Sequence, residues 1–129
     1  MGQQENVRIE CGSLLVSRNM NVAGVVLSKS TSTQATSLTS GVSVSTNAGF
    51  IYTFTTGTLA TLGNTSFTVS NPSVTANSLI SLNLNGHGGN GVPQVSAINV
   101  TQGSFGVRIR NLDATNTMTG SLKLGYNIQ

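Results

Sequence analysis

The only histidine of the chain, His87, stands in NLNGHGGNGVPQV, residues 83–95, among four glycines. Two chemistries suit such a stretch: a loop that cradles phosphate, or a loop whose His87 and Asn90 meet a partner or a glycan. A phosphate cradle needs a helix N-terminus or a nearby lysine. Neither follows here, and Pro93 leads into a strand-like run. Glycine admits positive φ without steric cost, so the glycines read first as a long inter-strand loop. The binding loop is the alternative.

The remaining reactive groups are few. The acids are Glu5, Glu10 and Asp113. Glu5 and Glu10 are five residues apart and point to opposite sides of an extended chain. Asp113 follows RIRN in a turn before the last strand. A glycosidase needs two carboxylates at a set separation, and these three do not suggest one. His87, Asp113 and a serine lack the strand–turn–helix elbow that would arm a Ser–His–Asp set. Cys11 is the single cysteine, so an intrachain disulfide is excluded. It has no basic neighbour to activate it and reads as a small hydrophobe. The expectation is a protein without catalytic residues, metal site or cofactor.

Arg108 and Arg110 are the most informative charges. They project from one face of one strand, a spacing that suits an anion or acidic sugar, with Lys123 as a third cation. The plainer reading is a solvated or subunit-facing strand protected from edge pairing by charge.

Composition bounds the rest. The chain has 129 residues, room for one domain with a real core. Charged residues make up 7%, far below the roughly 25% of average proteins, and Ser, Thr and Asn take their place. The surface is therefore neutral and hydrogen-bonding. The net charge of +3 is spread over Arg8, Arg18, Lys29, Arg108, Arg110 and Lys123, without the cluster a nucleic-acid binder shows. No apolar run is long enough for a membrane helix. MGQQEN opens like an acylation signal but places Asn6 where Ser or Thr is required. NTS at Asn64 and NVT at Asn99 match glycosylation acceptors, which chance supplies in so Asn- and Thr-rich a chain. Neither nucleic acid nor membrane is expected as a partner.

Period-two alternation, not a 3.6-residue period, organises residues 34–129. SGVSVST aligns Val42 with Val44. The run GFIYTFTT aligns Phe50, Tyr52 and Phe54; SFTVSNP pairs Phe67 with Val69; SLISLNLNG aligns Ile80, Leu82 and Leu84. VSAINV offers Ile98 and Val100. GSFGVRIRN aligns Phe105, Val107 and Ile109 against Arg108 and Arg110, and SLKLGYNIQ aligns Leu122, Leu124, Tyr126 and Ile128. Phe50 through Tyr126 on these faces form the expected core, which makes Tyr52 and Tyr126 interior residues rather than sugar-stacking platforms. Such a series implies an all-β, antiparallel β-sandwich, jelly-roll-like, at residues 34–129. Residues 1–33 carry only short apolar pieces and read as an N-terminal arm or shaft. Leu14, Leu15, Val25 and Val26 are its expected subunit interface.

The motif order resembles a known family. TQATSLTSGVSVSTNAGFIYTFT (33–55), SFTVSNPSVTANSLISL (66–82) and VTQGSFGVRIRNLDATNTMTGSLKLGYNI (100–128) resemble, in succession, a β-sandwich head or decoration module of virion surface proteins from tailed phages and large DNA viruses. The GSF turn, the Asn at the end of its strand and the last alternating strand carry the likeness. Residues 7–32 resemble the shaft-like lead that precedes the module, while GHGGNG at 86–91 departs from it. The resemblance implies a jelly-roll-like homotrimer on the virion surface. Its role would be capsid decoration (cement) or a spike or fibre head, with capsid or tail proteins as partners. The alternative is a carbohydrate- or receptor-binding module that attaches to host surface glycans.

Overall fold

Alternation builds strands only where one side chain in two can be buried, and the distribution of burial shows where that happened. The computed structural model describes residues 29–129. Cys11, Glu5, Glu10 and the expected interface residues Leu14, Leu15, Val25 and Val26 lie outside the described residues. Ten strands follow in order: β1 (Lys29–Thr33), β2 (Val42–Ser43), β3 (Ala48–Tyr52), β4 (Thr58–Leu59), β5 (Asn64–Ser70), β6 (Ile80–His87), β7 (Pro93–Thr101), β8 (Ser104–Asn111), β9 (Met118–Thr119) and β10 (Leu122–Ile128). Among the described residues there is no helix.

Two four-stranded sheets, β1-β3-β10-β6 and β2-β5-β8-β7, enclose one hydrophobic core, and a two-stranded ribbon β4-β9 closes one side. Consecutive long strands alternate between the sheets, except for the β7–β8 hairpin. That hairpin turns at Gln102-Gly103, with Gly103 at φ +85°, a backbone region that glycine enters without a Cβ penalty.

Each sheet is antiparallel except at one edge. β1 runs parallel to β3, and β2 parallel to β5, a departure from the all-antiparallel expectation. After β1 the chain crosses to the second sheet, forms β2, and returns as β3, so β3 runs in the same direction as β1. The sequence places Lys29–Thr33 in the arm of residues 1–33. As β1 these residues belong to the first sheet, so the sheet begins before residue 34.

Phe67, Val69, Phe105, Val107, Ile109, Leu122, Leu124 and Tyr126 are buried. Ile80, Leu82 and Phe54 are partly buried against them. Three expectations fail. In β3 the inward residue is Ile51, fully buried, and Phe50 and Tyr52 stand half-buried on the outer face. The reason is the partner strand: Leu124 of β10 faces the core and pairs with Ile51, which sends Phe50 over Gly125. Leu84 is 39% exposed, although it pairs with the buried Leu124, because β6 is the sheet edge. In β7 a bulge around Asn99, at φ 51°, reverses the side-chain parity. Val95 and Val100 then pack on the core, and Ile98 turns outward against Gly106.

Buried amides lock the connections between these strands. Asn111, at the end of β8, is almost wholly buried. Its side-chain NH₂ donates to the carbonyls of Leu59, Ala60 and Asn116, and its Oδ1 accepts from the N–H groups of Val92 and Asp113. Gln34 joins the Leu38 and Ser40 carbonyls to the Phe54 N–H. Asn71 joins the Thr46 carbonyl to the Ser73 N–H. A buried amide left without partners costs about 1–3 kcal/mol per group, so these bonds hold loop geometry that the apolar core cannot specify.

Candidate functional site

The glycine-rich loop is held against the β9 region by close backbone contact. His87 ends β6 and is half-buried. Its Nε2 lies 2.8 Å from the Thr119 carbonyl oxygen. A carbonyl only accepts, so Nε2 carries the proton and donates it. The Asn90 N–H donates to Thr119 Oγ1 at 3.1 Å, and the Thr119 N–H donates to the Asn90 carbonyl at 3.1 Å. A Cβ on Gly89 would collide with the Thr119 carbonyl oxygen, and one on Gly91 would sit 2.7 Å from the Met118 Cα. Glycine is required here because two backbones touch. That contact accounts for Gly89 and Gly91 without a ligand, and His87 and the main chain of Asn90 fasten the loop beside it.

Asp113 serves its own turn. Its carboxylate accepts from the backbone N–H groups of Thr115 and Asn116 and from both of their side chains. These donors, the Thr115 N–H first and the Asn116 side chain next, hold its pKa at about 2. His87 and Asp113 are thus engaged with different partners, Thr119 and the 113–116 turn, and no hydrogen bond joins them. Among the described residues, no three His, Cys, Asp or Glu side chains gather as a metal site would need.

The three cations considered together in the sequence are divided between the sheets. Arg108 and Arg110 lie exposed on the outer face of the β2-β5-β8-β7 sheet. Ser66 and Ser96 flank Arg108, and Asn64 and Gln94 flank Arg110. Lys123 belongs to β10 in the other sheet, where its Nζ lies 4.4 Å from the centroid of the Phe50 ring and 6.0 Å from that of Tyr52. An anion site built from all three is therefore excluded. Tyr126 is buried, with its hydroxyl 3.2 Å from Thr46 Oγ1, so it offers no exposed ring.

Two features escape a reading by alternation alone. An open depression lies on the first sheet over Gly125, beside Phe50, Asn83 and Asn85. Its signal was the glycine interrupting SLKLGYNIQ opposite an aromatic residue. The second is a group of exposed apolar residues at one end of the other sheet, Leu62, Val92 and Leu112. Each is isolated in sequence, and only strand pairing brings them together. Comparison of the chain with family models, with curated proteins and with solved structures gives no match.

Proposed function

We propose that this chain is a non-catalytic structural protein of a virus particle, a self-associating decoration or spike head on the virion surface. The observation that carries this reading is how its polar chemistry is used. Asn111, Gln34, Asn71, His87 and Asp113 all bond to the chain's own loops, which makes a stiff block with a neutral hydroxyl and amide coat. The strands and the buried Asn at the end of β8 coincide with the motifs that resemble the virion module. A threefold assembly with a jelly-roll-like topology is what that resemblance implies, and attachment to capsid or tail proteins goes with it.

Association of copies would rest on apolar burial, roughly 25 cal/mol per Å², rather than on ion pairs worth about 0–1 kcal/mol each. Native mass spectrometry and light scattering of the full chain at micromolar concentration should find a trimer, unchanged between low and high salt. A monomer under all conditions would remove the main support for this reading.

A second reading, attachment to host glycans or a receptor, is favoured by the depression over Gly125. Amides of Asn83 and Asn85 line it beside an aromatic ring, the combination that satisfies hydroxyls and apolar C–H faces together. Glycan-array binding that is lost in Asn83→Ala would support it. A blank array would remove it and leave the structural reading in place.

A further inference from the structure

We propose that the exposed cluster of Leu62, Val92 and Leu112 is the face through which copies of this chain associate. The proposal rests on the assembly reading above and gives it a location. Leu62, Val92 and Leu112 are 59%, 50% and 44% exposed. Backbone pairing makes them neighbours: the Leu112 N–H donates to the Val92 carbonyl, and the Leu62 N–H donates to the Asp113 carbonyl. Three large exposed apolar residues thus sit on neighbouring chain segments at the end where β5, β8 and β7 meet. Scattered exposed apolar residues are ordinary, whereas contiguous ones mark contact surfaces.

Leu62 adds an independent observation. Its φ is 57°, the left-handed region that a leucine enters only against steric strain. The strain places the leucine in solvent, where it contributes nothing to the core. Gly63 follows directly, so a residue free of that strain was one position away. Strain of this kind persists where the surroundings or a function require it.

The occupant is a second copy, and charge says why. Asp113 is the only acidic side chain among the described residues, and it borders this cluster. Arg110 borders it from the other direction along the same strand, two residues before Leu112. A surface with an apolar centre, a cationic flank and an anionic flank is complementary to itself. Copies set around a symmetry axis bring the Arg110 flank of one against the Asp113 flank of the next, with the leucines at the axis. The hydroxyl and amide rows around Arg108 and Arg110 would form the polar rim of such a contact.

Leu62→Gly separates interface from fold. Glycine accepts φ 57° without strain, so the subunit should keep or gain melting temperature when diluted to the monomer, while association weakens. Sedimentation velocity and native mass spectrometry of the full chain would compare wild type, Leu62→Gly, Leu112→Ser and the control Leu79→Ser, an exposed leucine bonded to Gln129 at another edge. The expected result is an association constant lowered about tenfold or more in the first two variants, and an unchanged one in the control. An oligomer of wild-type affinity in both Leu62→Gly and Leu112→Ser would overturn this face and leave the assembly reading intact. A wild-type chain that stays monomeric would overturn both.

Discussion

The outer faces of the two sheets treat their cations in opposite ways. On the β1-β3-β10-β6 sheet, Lys123 lies over Phe50 and near Tyr52, so the charge covers two aromatic rings of its own chain. On the β2-β5-β8-β7 sheet, Arg108 and Arg110 stand among serines and amides, and the apolar residues beyond them are left bare. A bare leucine near a guanidinium is, on the proposal above, a surface left open for a second copy. The same residue classes therefore have different consequences according to which strand carries them.

The largest effect should come from testing which side of β3 is outside. Ile51→Ala removes a fully buried side chain paired with Leu124 and should cost about 3 kcal/mol or more, whereas Phe50→Ala should cost about 1 kcal/mol. Chemical denaturation measures both, and a reversal of that order would return Phe50 to the core. Next comes the support beneath the bare end of the second sheet. Asn111→Ala orphans the N–H groups of Val92 and Asp113 and takes the amide donor from the Leu59, Ala60 and Asn116 carbonyls, of which Ala60 keeps the Gly63 N–H, and should lower stability by about 2–4 kcal/mol by the same measurement. An effect below about 0.5 kcal/mol would mean that water replaces the amide. The smallest effect contrasts the cations themselves. Lys123→Ala should cost about 0.5–1 kcal/mol, and the double change Arg108→Ala with Arg110→Ala should leave the diluted subunit within about 0.5 kcal/mol of wild type. Equal losses on both faces would erase the contrast between covered and open.

Much of the strand series was legible because burial of one face imposes period two on sequence. The seven alternating segments all contain strand, although SGVSVST yields only the two residues of β2. The ribbon β4-β9 was not legible, because two-residue strands carry no periodicity. The inward side of β3 was misread because aromatic residues outnumber Ile51 there, and pairing with β10, not hydrophobicity, decides the side. Parity in β7 was lost at Asn99, where a bulge leaves no pattern in residue type. For the sites, the grouping of Arg108 with Arg110 followed from spacing along one strand. Their separation from Lys123 depended on which sheet each strand joined, a fact no local pattern contains.

By itself, the sequence determined the all-β class, the neutral coat and the glycines of the 86–91 loop, because each follows from local rules of burial, charge and backbone freedom. The tertiary structure alone decided that Gly89 and Gly91 serve contact with Thr119 and Met118, that Asn111 joins three loops, and that Leu62, Val92 and Leu112 come to the same end of one sheet. These depend on pairings between residues far apart in the chain. Strand register sets such pairings, and register is fixed by the packing of the whole core rather than by any one segment.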